Sequence, residues 1–153
     1  MDYLSLIEKK IAYTTKEAEN TLSMWRFKND KIVFTNGCFD ILHKGHIEYL
    51  AKAASLGTKL VIGLNTDASV KRLNTRALLL ASLVFVDEVI FFDTDTPRDL
   101  IDFVQPDVLV KGGDYKSEEI VGHDIVKAKG GEVITINFIE GYSTTSMIEK
   151  MKK

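Results

Sequence analysis

The sequence predicts a doubly wound α/β domain: a five-stranded parallel sheet with helices on both faces, preceded by a helical extension over residues 1–30. Three observations carry this. Short β-branched runs at 31–35, 59–65, 88–92, 108–110 and 133–137 are apolar at consecutive rather than alternate positions, the pattern of strands buried on both faces. Helical periodicity follows each of the first four, and turn residues such as Asn36-Gly37, Gly57 and Gly130-Gly131 punctuate the junctions.

In chain order, residues 5–11 and 16–27 read as helices, the second opened by Thr14, Thr15, Lys16 and Glu17 in capping-box spacing. The strand at 31–35 stops at Asn36-Gly37, and the helix at 44–56 ends with Gly57 at its C′ position. After the strand at 59–65 come a short helix at 67–73 and a longer one at 75–85, then the strand at 88–92. Thr96 caps a helix with Pro97 in its first position. The strand at 108–110, a helix at 121–129 closed by Gly130-Gly131, the strand at 133–137 and a helix at 143–151 complete a Rossmann-like alternation. Such sheets, joined by right-handed crossovers, bind ligands beyond the carboxyl ends of their strands, where strand order reverses. This nominates the segments 36–46, 65–76, 111–115 and 141–146.

Composition narrows the function classes. A chain of 153 residues is one domain, long enough to bury about two-thirds of its unfolded surface. At 45% hydrophobic and 27% charged, disorder, collagen-like repeats and coiled coil are excluded. Twenty Lys and Arg against 22 Asp and Glu leave a net charge of -2, without the basic excess of a nucleic-acid binder. The longest apolar run, 77–86, falls short of the roughly 18–20 residues of a membrane helix, so no membrane association is expected. Residues 1–10 mix acids and lysines with no apolar core, so no secretory signal is expected. Cys38 is the only cysteine; no internal disulfide can form, and a reducing, cytoplasmic setting follows as the expectation.

The chemistry concentrates in Thr35-Asn-Gly-Cys-Phe-Asp-Ile-Leu-His-Lys-Gly-His46, which runs from the first of these strands into a helix. His43 and His46 are three apart and share one helical face, at the end where free backbone N–H groups and the helix dipole favour anions. Gly37 and Gly45 leave room for a ligand to approach the backbone. Two readings stand: the histidines cap and pack, or they help to hold phosphate. Zinc is disfavoured, because the spacing is three rather than four and no Glu lies between them. Neither G-x-G-x-x-G nor G-x-x-x-x-G-K-[ST] is present, so any phosphate must be held partly by these imidazoles.

The same run resembles the H-x-G-H signature of the nucleotidyltransferase superfamily, which holds cytidylyltransferases, pantetheine-phosphate adenylyltransferase and class I aminoacyl-tRNA synthetases. Together with residues 65–72, Val108-Leu-Val-Lys-Gly-Gly-Asp-Tyr115 and Gly141-Tyr-Ser-Thr-Thr145, it is similar to the adenylyltransferases of ADP-heptose synthesis, over residues 31–153. The resemblance implies transfer of AMP from ATP, with Mg2+, to D-glycero-β-D-manno-heptose 1-phosphate, giving pyrophosphate and a lipopolysaccharide precursor. It implies no covalent intermediate, so that positioning and charge stabilisation do the work. It also implies a separate heptose kinase upstream, and a homo-oligomer for which the N-terminal helices offer a surface. A cytidylyltransferase of a small alcohol phosphate and a non-catalytic nucleotide-binding domain remain as alternatives. Against the former, residues 138–142 lack the arginine that such enzymes place before the final Ser-Thr-Thr motif.

Residue by residue, the resemblance makes His43 and His46 donors to the triphosphate, with Lys71 (or Arg72) a further phosphate contact and Arg76 a forked phosphate clamp. Thr35, Asn36, Gly37, Cys38, Phe39, Asp40 and Gly45 line the nucleotide. Asp40 either orients the loop or helps hold Mg2+, and as a turn residue it needs neither role. Lys111, Gly112, Gly113 and Asp114 let a base or ribose lie against backbone, Asp114 being equally a turn residue. Ser143, Thr144 and Thr145 are N-cap residues taken alone, and in the resemblance they hold the β- and γ-phosphates; one position can serve both ends. Neither Cys38 nor His123 is given a chemical role of its own: the Cys38 side chain is expected as a small buried filler and His123 as an exposed helical residue. The segment from Lys71 to Arg76 is shorter than the resemblance expects by about ten residues, which suggests a loop missing there.

Overall fold

The computed structural model describes residues 1–66, 70–113 and 115–137, the side chains of 70–74 excepted. The chain runs α1 (Tyr3–Glu8), β1 (Ile11–Ala12), α2 (Thr15–Phe27), β2 (Ile32–Gly37), α3 (Lys44–Ala54), β3 (Lys59–Asn65), α4 (Val70–Ala81), β4 (Glu88–Phe92), α5 (Arg98–Val104), β5 (Val108–Gly112), α6 (His123–Ala128) and β6 (Glu132–Ile136). All strand pairs are parallel, in the order β1-β4-β3-β2-β5-β6.

The sheet therefore has six strands, not the expected five. The additional one, β1, lies in the extension: Ile11 pairs with Val89 and Ala12 with Ile90, and the Val89 amide donates to the Lys10 carbonyl at 2.7 Å. Two residues are too few to show any periodicity. Residues 1–30 are thus part of the sheet and its layers, and not only a helical lead-in.

Successive strand residues feed opposite layers. Val33, Ile62, Val89 and Val110 pack with Leu50, Ala53, Ala77 and Leu80 of α3 and α4. Ile32, Phe34, Val61, Ile90 and Leu109 pack with Leu22 and Trp25 of α2, Leu100, Ile101 and Val104 of α5, and Val126 of α6. Burial on both faces is what the unbroken apolar runs required.

Local signals act largely as expected. The Thr14 side chain accepts from the Glu17 amide at 3.3 Å, while the Glu17 carboxylate reaches back to the Tyr13 amide at 2.8 Å. Thr96 accepts from the Arg98 amide, one position from its expected place, and Gly130 takes the left-handed φ of 85° that ends α6. Two helices expected at 67–73 and 75–85 are a single α4 from Val70 to Ala81, its register fixed by buried Ala77, Leu80 and Ala81; residues 67–69 lie outside the described set. Lys71 and Arg76 thus lie on one helix of the chain. The helix expected at 143–151 also lies outside the described residues.

Gly57 is not a left-handed C′ residue. α3 ends at Ala54, and among the described residues the positive-φ glycines are Gly113, Gly122 and Gly130. Gly57 is needed for close approach: a Cβ there would lie 2.6 Å from the Lys31 carbonyl oxygen, which accepts from the Thr58 and Lys59 amides. Gly57→Ala should lower stability by about 1–3 kcal/mol in urea titration, because backbone must move to admit the methyl; an unchanged midpoint would show the junction to be loose.

Candidate active site

The strand order reverses at β2. From β2 the chain passes through α3 to β3 on one side; from β4 it returns through α5 to β5 on the other. The crevice between these two exits is where an open α/β sheet takes its ligand. A cavity of about 250 Å³ lies there, lined by Asn36, Gly37, Cys38 and Phe39 after β2, His46 and Tyr49 of α3, and Lys111, Gly112 and Tyr115 around the end of β5. A second cavity of about 210 Å³ shares Asn36, Lys111 and Tyr115 with it and adds Pro97, Glu119 and Ile120. Segments 36–46 and 111–115 are thereby brought together.

The N-terminus of α3 is built from the two histidines. His43 is the N-cap in extended geometry, φ -137° and ψ 176°, and its Nδ1 accepts from the Gly45 amide at 3.1 Å. With Nδ1 an acceptor, the proton of the neutral His43 ring sits on Nε2. His46 reaches back one turn, its Nδ1 accepting from the His43 amide at 3.4 Å. The rings stack with centroids 3.9 Å apart and planes 24° from parallel. Burial pushes the His43 pKa down; His46 is pushed down to about 4, first by burial and then by His43, a hydrogen bond with the Ile41 backbone opposing. Both rings are therefore neutral near pH 7, and positive potential comes from the helix end. The cap uses Nδ1 of His43 and not Nε2, and the ring is 6% exposed.

Other expected site residues divide by place. Asn36, Gly37, Cys38, Phe39, His46, Lys111 and Gly112 line the crevice. Gly45 is buried in the first turn of α3, and Gly113, with φ 109°, leads out of β5. Thr35 is fully buried and its hydroxyl pairs with the Tyr49 hydroxyl at 2.7 Å, so it supports the floor rather than facing the crevice. Arg76 is 4% exposed; its Nη1 donates to the Cys38 carbonyl and, at 3.2 Å, to Asp40 Oδ1. Lys71 is in the first turn of α4 with its side chain outside the described residues, as are Asp114, Ser143, Thr144 and Thr145 altogether.

The chemistry of Asp40 does not suit a resident magnesium. No cluster of three His, Cys, Asp or Glu groups suited to a metal occurs among the described residues, and the Asp40 carboxylate already faces a buried guanidinium. Mg2+ keeps most of its waters and commonly rides on substrate phosphates, so its place is with the nucleotide rather than in a protein cage.

Cys38, expected as buried, is exposed on the loop after β2, and His123 is partly buried at the start of α6. Tyr49 was not expected at the site. It lies one turn beyond His46 on the same face of α3, and burial raises its pKa to about 12, against the lowering effect of Thr35. The periodicity His43, His46, Tyr49 together with a polar Thr35 inside an apolar strand was the available signal. A larger cavity of about 560 Å³ opens at the opposite, amino-terminal end of the sheet, among Arg26, Lys31, Asp107 and Lys129. There Arg26 and Lys129 donate to the carbonyls of Val104 and Gln105, and Asp107 accepts from the Ile32 amide, so its charges serve the fold.

Comparison with known proteins agrees with the geometry. The "Bifunctional protein HldE" of Nitrobacter hamburgensis is 48% identical over 153 residues, covering 94% of this chain and 31% of that protein. That of Campylobacter jejuni subsp. jejuni is 52% identical over 155 residues, with 95% and 32% covered. The chain thus spans about a third of the length of these relatives. A 153-residue match that takes in 94% of this chain also means that the Nitrobacter protein has about nine residues inside the matched stretch without counterparts here. Among solved structures, the lipopolysaccharide core biosynthesis protein of Thermoplasma volcanium is 26% identical, with a TM-score of 0.58 over 74% of this chain and 99% of that one. A pantoate-beta-alanine ligase from Francisella tularensis shares the fold at 16% identity and a TM-score of 0.64, covering 92% of this chain and 72% of that one. Residues 34–150, from the β2 strand across the crevice, match the family model described as Cytidylyltransferase-like, and the chain belongs to that family.

Proposed function

We propose that the protein is an adenylyltransferase that transfers AMP from Mg–ATP to D-glycero-β-D-manno-heptose 1-phosphate, releasing pyrophosphate and forming ADP-heptose. The observation that carries this reading is the histidine-capped end of α3 at the strand-order reversal, where His43 Nδ1 accepts from the Gly45 amide and the His46 ring, stacked on His43, lines the 250 Å³ cavity. Kinship to the bifunctional proteins supports the choice of substrates.

In this reading a sugar phosphate oxygen attacks the α-phosphorus in line. The new P–O bond forms as the bond to the bridging α–β oxygen breaks, and pyrophosphate leaves with that electron pair. His43, His46 and Lys71 act on oxygens where negative charge grows, and the hydroxyls of Ser143, Thr144 and Thr145 hold the distal phosphates. The two cavities meeting at Asn36, Lys111 and Tyr115 suit two substrates that must touch at one phosphorus. A kinase supplies the 1-phosphate, the lone cysteine fits a reducing cytoplasm, and exposed Tyr3, Leu4 and Leu6 on α1 favour self-association.

The test is pyrophosphate release with each nucleoside triphosphate against heptose 1-phosphate and glycerol 3-phosphate, with Mg2+. ATP with the heptose phosphate should stand alone; turnover of CTP with glycerol 3-phosphate instead would overturn the assignment. A second reading, nucleotide binding without turnover, is favoured by the roughly nine residues that the Nitrobacter relative has and this chain lacks. It predicts calorimetric binding of ATP with no pyrophosphate from any acceptor.

A further inference from the structure

The buried arginine of α4 occupies the position where the family resemblance implied a phosphate clamp, but a clamp must open its fork of donors to the ligand. Arg76 does not line the 250 Å³ cavity, and its guanidinium is covered. Nη1 holds the Cys38 carbonyl and Asp40; Nε and Nη2 are buried with no hydrogen-bond partner among the described residues. A buried cation with idle donors costs stability that an apolar residue of similar length would spare.

What lies between its two acceptors is Phe39, with φ of 49°. A residue with a Cβ persists in this left-handed region only where its surroundings over-determine it. Three anchors do so. The Phe39 ring is buried in the core layer of α3 and α4. Gly37 makes room for that ring, since a Cβ there would meet Phe39 Cε2 at 2.9 Å. Arg76 grips the chain on both flanks of Phe39. The ring in turn stands edge-on to His46, centroids 5.3 Å apart.

We propose that Arg76 is a positioning residue: from inside the core it fastens the loop at 38–40 in its left-handed turn, and so sets the Phe39 edge that holds His46 toward the crevice. This rests on the reading of His46 as a phosphate donor. Arg76 acts on the histidine and not on the substrate.

Arg76→Met, Arg76→Lys and Gly37→Ala test it in the full chain. Each is followed by pyrophosphate-release kinetics and by NMR titration of the His46 ring. Arg76→Met should lower kcat about tenfold with KM for the nucleotide within about twofold. It should also move the His46 titration up from about 4 toward 6.5 as the loop admits water. Arg76→Lys keeps one acceptor and should recover part of kcat. An unaltered kcat, or a loss confined to KM, overturns the proposal, the latter in favour of a clamp on bound nucleotide. If Arg76→Met does not fold, Gly37→Ala decides: it displaces the same ring without touching the cation, so kcat and the titration must move in the same directions, and unchanged values overturn it. If the wild-type protein turns over no nucleotide, the functional reading fails by itself. The ring titration then remains as an independent measure of positioning, and an unmoved His46 in the folded Arg76 variant refutes it.

Discussion

Replacing His46 with alanine should cut turnover by about 10²- to 10³-fold while the protein stays folded, the cost of losing one donor aimed at growing oxyanion charge. The ring is half-buried at the third position of α3 and lines the crevice. Alanine is a good helix former, and the His43 cap onto Gly45 does not depend on His46. The measurement is pyrophosphate release at saturating ATP beside a thermal melt; turnover within threefold of wild type would remove the ring from the reaction. The pH profile separates charge from geometry. With its pKa lowered to about 4, the empty-site His46 ring has lost its proton well below neutrality, and His43 is shifted in the same direction. Consequently kcat/KM, which reports the free protein, should show no limb from His46 between about pH 5.5 and 8. A fall through pH 6.5 would mean that a charged imidazole is required.

Legibility in the sequence followed the distance over which each feature is determined. The strands at 59–65 and 88–92 carry their own apolar runs and appear with those bounds as β3 and β4. β1 carries no signal of its own, since its two residues are strand only because Val89 donates to Lys10. Asn74 reads locally as a break between two helices, yet burial of Ala77, Leu80 and Ala81 against the sheet carries α4 through it. The crevice shows the same division. Asn36 to His46 is contiguous, so one strand-to-helix turn delivers its parts together and the motif could be read directly. Tyr49 and Thr35 meet across 14 residues and Arg76 reaches Cys38 across 38. The family resemblance located Arg76 near the site, but only packing shows that it grips the loop from below rather than facing the crevice.

Glu88→Gln should make the protein more stable, by an amount that grows with pH. Glu88 opens β4 beside Val61 of β3, shares its sheet face with Ile90, and is 4% exposed. Burial first, and then the carboxylates of Asp87 and Glu17, raise its pKa to about 8. Asp87 is tied to the Leu60 amide at 2.8 Å and Glu17 to the Tyr13 amide, so neither is free to turn away. The folded protein thus keeps a proton that the unfolded chain, with a pKa near 4.5, releases. Stability from this group is fully present below about pH 4.5 and is lost as pH rises toward 8. The loss approaches 3–5 kcal/mol in order of magnitude, at about 1.4 kcal/mol per pKa unit. The glutamine variant has the same shape and no proton to lose, so its urea midpoint should match wild type near pH 4.5, pull ahead through neutrality and hold a constant lead above pH 8. Parallel curves for the two proteins across that window would mean that water reaches the carboxylate, and that the entrance to β4 is more open than its packing shows.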